Sequence, residues 1–375
     1  MMIIIFWYVL SLIVNNITSK SFQLEYSQLS DSFNLIVLIG EPYRSKYFEI
    51  DLKEPVSWVT KAYYKRNDNV KVIGSDSIVI GHSQKTDYEI ITDRLRVNNT
   101  KIDIEAFPLY YSIEFLQDFD GISFARKFKD DSYSFIHRLY QDKFIDKLAY
   151  GFFPIDSQKG KINFGTLSET INFKYKTSCN AYNTDSSWGC HLTKVYFGNK
   201  EHYYMNNHKM YFQASDKRIL VPKDFMAVLN QTYFNKYMEK GICSLLIGFG
   251  RHTYECLPEV KHSFPNLTLE FDSITIDLPL KDIINDEVRN IKFYLEENYY
   301  NEDEWVFGLT FFTKYPVYFD YEKNDITFFS DVPFSAIASR KDSYNSSNPT
   351  ALKVLIIVIM IQMSMSVVLI INKYK

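Results

Sequence analysis

The chain is poor in glycine and proline, with 13 and 11 in 375 residues. No Pro- or Gly-rich linker interrupts residues 20 to 335, so composition marks no break between independent domains. Cysteine is scarce: four residues are too few for a disulfide-dense miniature fold. A bias of charge is also missing. The formal net charge is -3, and no cluster of Lys and Arg lies on a periodic stretch, so the electrostatic footprint of a nucleic-acid binder is absent. Common enzyme motifs are lacking as well. There is no H-E-x-x-H, G-x-S-x-G, Walker loop or G-x-G-x-x-G, and no cofactor is expected. The histidines are scattered, as surface or core residues usually are.

Aromatic residues are abundant. There are 29 Tyr and 30 Phe, and 46% of all residues are hydrophobic. That is ample for one large or two medium domains. Tyr, Phe, Ile, Val and Thr favour half-buried pleated strands, so a mainly β class is expected, although an AT-rich coding bias would raise several of the same residues. Apolar runs of strand length recur at Leu35 to Ile39, Ile78 to Ile80, Tyr88 to Ile91, Ile162 to Phe164, Val195 to Phe197, Lys209 to Phe212 and Val317 to Tyr321. Helical spacing is limited to Ser134 to Leu148 and Lys223 to Lys240.

Both ends carry apolar runs. Met2 to Val14 is broken only by Ser11 and followed by polar residues, which matches the apolar core of a secretory signal; an uncleaved anchor is the alternative. Val354 to Ile371 would span about 27 Å as a helix, close to the hydrocarbon thickness. Asn372 to Lys375 follow, and their lysines favour a cytosolic tail. The expectation is a single-pass type I membrane protein of the secretory pathway, at the cell surface or an endolysosomal membrane. A lipid (GPI) anchor near Asn345, Ser346 and Ser347 is the rival reading. Cys179 with Cys190 and Cys243 with Cys256 each enclose a short loop. Local pairing of both is expected, each bridge contributing roughly 3 kcal/mol. A zinc site of Cys179, Cys190 and His191 is the weaker alternative, because metal-ligand spacing is missing, and no metal is expected. Sequons stand at Asn98, Asn230, Asn266 and Asn345.

The order of several segments resembles the pepsin-like aspartic protease family (A1). Ile36-Val-Leu-Ile-Gly-Glu-Pro42 is similar to the strand and turn entering the first lobe. Phe48-Glu-Ile-Asp51 with Trp58 follows the family's apolar strand, D-T-G-S-S and W. Asp120-Gly-Ile122 resembles D-G-I, and Lys159 to Gly165 the strand closing the first lobe. Trp188, Leu192 and Val195 resemble the entry to the second lobe. Met210-Tyr-Phe-Gln213, with Pro222 nine residues on, resembles the second active-site strand. Cys243 and Tyr254-Glu-Cys256-Leu-Pro258 resemble the second-lobe disulfide. Trp305-Val-Phe-Gly308 through Phe319-Asp320-Tyr321 resembles the W-I-L-G … F-D-Y signature.

The resemblance implies a bilobal fold of two β-barrel-like lobes around a cleft, with few helices. On that reading residues 1–19 are a signal, 20–175 and 176–335 the lobes, 336–353 a polar stalk, 354–371 a transmembrane helix and 372–375 a cytosolic tail. The family's reaction needs two carboxyls sharing a proton and holding a water. Asp51 takes the first position, whereas the second falls on Gln213, which cannot ionise. Leu52 and Ala214 replace the threonines that join the two loops, Lys53 and Ser215 replace glycines, and Phe124 replaces the glycine behind the first site. Ile80 and Gly81 fall at the flap. The resemblance therefore implies a catalytically silent scaffold whose cleft is a groove for a polypeptide in an extended conformation. The alternatives are an active endopeptidase pairing Asp51 with Glu54 or Asp216, and an unrelated β-rich surface protein.

Overall fold

The computed structural model describes residues 20–336, apart from 30–31, 61–63, 79–85, 98–99, 101, 113–119, 128–129, 157, 169–170, 183–185, 198–199, 249–250, 272–273, 280–283, 287–289 and 299–302. The signal and transmembrane segments, Asn98, Asn345, and the flap residues Ile80 and Gly81 lie outside the described residues. Among the described residues no helix is long and apolar enough to cross a membrane.

The fold is mainly β and bilobal. A large sheet begins with a platform of six antiparallel strands in the order Tyr175–Asn180, Asp325–Ser330, Val317–Asp320, Ala149–Pro154, Lys159–Phe164 and Phe22–Leu29. It interleaves chain from both halves of the sequence: Val317 pairs with Phe152 and Phe319 with Tyr150. The same sheet continues through Ser32–Ile39 and Arg44–Asp51 into the first lobe. There Lys71–Ile78 and Thr86–Val97 form the hairpin that flanks the flap position. The second lobe is an eight-stranded sheet with a smaller four-stranded one.

Aromatic side chains fill the interior because strand alternation brings them to one face. Phe48, Phe107, Phe124, Phe135, Phe152, Trp188, Trp305 and Phe319 are all essentially inaccessible. The expected helix at Ser134 to Leu148 is one short helix, Phe135–Gln141, capped by Ser134 Oγ, which accepts from His137 N at 3.2 Å. Phe135, Ile136 and Leu139 bury that single face, and Lys143 then takes a positive φ of 60° that ends helical continuation. The segment from Lys223 is helical to Met238, relaxing through a π-type turn at Asn230–Phe234. Both local cysteine pairs are disulfides, Cys179–Cys190 and Cys243–Cys256, which leaves no thiolate for zinc. Of the two described sequons, Asn266 is exposed and Asn230 half-buried.

Candidate active site

Asp51 ends the strand Arg44–Asp51, which runs parallel to Asp120–Ser123 with Asp51 opposite Ser123. Its carbonyl accepts from Phe124 N at 2.7 Å. Its Oδ1 accepts the backbone amides of Lys53 at 2.6 Å and Glu54 at 2.7 Å. The amides therefore reach the carboxylate although no glycine follows, and Lys53 does not have a positive φ. Desolvation raises the Asp51 proton affinity above the ordinary aspartate value, against the pull of the Glu54 and Lys53 amides and the Lys53 charge. Gly121 in the neighbouring strand is dictated by packing, since a Cβ there would lie 2.1 Å from the Trp58 ring.

The second site repeats the plan. Lys200–Phe212 runs parallel to Glu304–Phe307, with Phe212 opposite Phe307. Gln213 follows immediately, and its amide donates to Phe307 O at 3.0 Å. Gln213 thus occupies the end of the second parallel strand as Asp51 occupies the end of the first. Its side chain is engaged locally: Nε2 donates to Ser215 Oγ at 2.7 Å. Asp216 is nearby in the turn, but Arg218 clamps it. Arg218 Nε donates to Asp216 Oδ1 at 2.6 Å, a second guanidinium nitrogen meets Oδ2, and the Arg218 amide adds a bond of 2.9 Å. Arg218 also reaches Glu296 at 2.8 Å. Gly308 lies against this turn so closely that a Cβ would meet Asp216 O at 2.2 Å, which explains why glycine stays here.

Leu52 and Ala214, which the resemblance sets at the threonine positions, are both fully buried. A backbone bond crosses between the lobes at this point instead, from Phe33 N to Ala214 O at 2.8 Å. Phe124, at the other lost glycine, is stacked on Phe135 and meets Tyr150 and Phe164 edge-on. Its carbonyl accepts from Tyr150 Oη at 2.6 Å, Trp188 Nε1 at 3.1 Å and Tyr321 Oη at 3.4 Å.

Sequence reasoning missed Glu49. It lies two residues before Asp51, hence on the same face of the strand, and it is only 6% exposed. Burial pushes its carboxyl up to about 8, and the Asp51 charge adds to this; hydrogen bonds from Ser32 and Ser215 act the other way, with a further upward push from Asp216. The available signal was a glutamate at the inward phase of Phe48-Glu-Ile-Asp51. Glu54 is also buried. Its amide bonds Asp51, and its side-chain charge is felt by Tyr88. Among the described residues no cluster of His, Cys, Asp and Glu could hold a metal ion.

Two parallel strand ends facing a lobe boundary, each followed by a tight turn, define the scaffold of a two-lobed aspartic protease. A family model described as "Eukaryotic aspartyl protease" matches residues 76–330, and the chain belongs to that family. The matched range includes Gln213 but begins after Asp51. Among solved structures, the aspartic proteinase from Irpex lacteus is similar over 83% of this chain and 97% of that one, with a TM-score of 0.66 at 11% identity, a likeness of fold. No curated protein matches.

Proposed function

We propose that this family member does not run two-aspartate hydrolysis and that its cleft holds a polypeptide in an extended conformation. The observation that carries this reading is the second site. Gln213 has no proton to share, and Asp216 is held by Arg218. Without an acid partner for the water-bound carboxylate, about 10²–10⁴ in rate is lost. An extended chain would be held by backbone pairing and side-chain pockets. The apolar segment 354–371 would tether the groove to a membrane of the secretory pathway.

A second reading has one observation in its favour. Glu49 is a buried, proton-retaining carboxyl on the Asp51 face, so a peptidase could use an acid pair within one lobe. One assay separates the two readings. The purified chain is incubated with unfolded protein substrates from pH 3 to 7, beside Asp51→Asn and Glu49→Gln. No cleavage together with measurable binding of extended peptides is expected. Cleavage abolished by Asp51→Asn would overturn the silent reading, and additional loss in Glu49→Gln would assign the pair.

A further inference from the structure

One end of the six-stranded platform combines exposed apolar side chains with lysines. Tyr175 starts the edge strand and lies opposite Ser330. Val317 lies opposite both Phe328 and Phe152, and Pro154 opposite Gly160. The register therefore brings Tyr175, Ser330, Pro154 and Gly160 to the same end of the sheet. Strands about 4.8 Å apart put Tyr175 roughly 14 Å from the turn after Pro154. Three large apolar side chains stand out there: Ile155 is 56% exposed, Tyr175 38% and Val332 69%. Lys159, Lys174 and Lys176 are exposed around them. Ile155 N donates to Lys159 O at 3.0 Å, which sets these two residues side by side. The same segments carry two exposed acids, Asp156 and Asp331. Asp156 Oδ1 is turned back onto the amides of Gln158 at 2.8 Å and Lys159 at 3.0 Å.

The chain leaves the described fold close to this end. Ser335–Ala336 make the last pairing, with Thr275 and Ile274. Ala336 follows Ser330 by six residues, a reach of no more than about 21 Å. Residues 337 to 353 then separate it from the apolar run 354–371. That stretch spans at most about 60 Å when extended and averages roughly 25 Å as a flexible coil. With the run anchored in a bilayer, this end of the platform is held near the headgroups. We propose that it is a docking face for an anionic phospholipid surface. Ile155, Tyr175 and Val332 enter the interface, and the lysines meet the headgroups. Charge disfavours the other occupants. A second copy packed on the same face across a two-fold axis would set lysine against lysine. The segment 337–353 carries Arg340, Lys341 and Lys353 against Asp342 alone. It is therefore repelled by the lysines and drawn to the same anionic surface. The face rests on the membrane tether proposed above.

The test uses the full-length chain in lipid nanodiscs of phosphatidylcholine, alone or with phosphatidylserine added. A nitrobenzoxadiazole fluorophore is placed on Val332→Cys or Ile155→Cys; the four native cysteines are buried and bridged, so they stay unlabelled. Quenching of the fluorophore by nitroxide-labelled lipid is expected to be about fivefold stronger with phosphatidylserine present. High salt should return it to the level of the neutral lipid. So should the combined change Lys159→Glu, Lys174→Glu and Lys176→Glu. Equal quenching in the two lipids, or strong quenching that survives the lysine changes, overturns the docking face. A blue-shifted fluorophore in detergent without lipid also overturns it: independence of protein concentration would assign the cover to the chain itself, and dependence to a second copy. Failure to enter either nanodisc would sink the tether and the face together, whereas entry into both with equal quenching sinks only the face.

Discussion

The Phe33 amide of the first lobe donates to the Ala214 carbonyl of the second at 2.8 Å. A bond between two main chains is indifferent to which side chains stand at Leu52 and Ala214. The lobes can therefore stay registered after both hydroxyls have gone, and the positions are free to become core. Leu52 and Ala214 are accordingly fully buried.

The Glu49 carboxyl gives stability a definite pH dependence. Its folded value of about 8 lies above its ordinary value of 4.5, so the folded state holds a proton that the unfolded state has released. Stability is then full below about 4.5, falls as pH rises towards about 8 and levels off above, with a slope of up to about 1.4 kcal/mol per pH unit. Urea titrations at half-unit steps should show this slope in the parent and a shallower course in Glu49→Gln, in which the raised Asp51 carboxyl still contributes. An unchanged slope in the variant would assign the dependence to another group.

Phe124→Gly places a glycine where the resemblance expects one, yet it should destabilise. The ring is fully buried among Phe135, Tyr150, Phe152 and Phe164, and its removal leaves a cavity. The expected loss is about 3–5 kcal/mol by chemical denaturation. A neutral result would mean that the surrounding rings collapse into the space.

Asp216→Asn removes one partner of a half-buried ion pair and leaves Arg218 with Glu296 alone. A loss of about 1–3 kcal/mol is expected, with no gain or loss of peptide cleavage. A variant as stable as the parent would show that the Asp216–Arg218 pair holds nothing in place.

Gly121→Ala should be among the most damaging small changes. The added carbon would sit 2.1 Å from the Trp58 ring, so the ring or the strand Asp120–Ser123 must move. Overpacking of this kind costs about 1–3 kcal/mol or more. Near-UV circular dichroism of Trp58 should report the displacement, and an unchanged spectrum and midpoint would refute it.

Most of the scaffold was legible because it rests on period-two apolar runs and on residues with steric necessity. Trp58 with Gly121, and Gly308 against the Asp216 turn, leave the same marks in sequence as in space. Counting back from Pro222 proposes Gln213 for the second position, and its amide bonds Phe307 O just beyond the strand Lys200–Phe212. Glu49 was not legible, since its surroundings come from Ser32 and Ser215, which lie 17 residues before and 166 after it. Lys53, which stands where the resemblance puts a glycine, does not keep the amides of Lys53 and Glu54 from Asp51 Oδ1, because the turn needs no positive φ. The length of the helix after Ser134 was overread, as apolar spacing continued past the residue that ends it.

The interleaved platform also constrains how the chain is made. The strand Ala149–Pro154 lies between Lys159–Phe164 and Val317–Asp320, so one of its edges stays open until the last tenth or so of the folded region has been synthesised. Until then the nascent first lobe presents a bare edge rich in aromatic residues, the kind of surface that pairs with the wrong neighbour. The three donors that converge on the Phe124 carbonyl cannot all be in place before Tyr321 arrives either. Completion of the first lobe is thus a late event of biosynthesis, and a chain terminated short of residue 317 would be expected to aggregate in place of yielding a half-molecule.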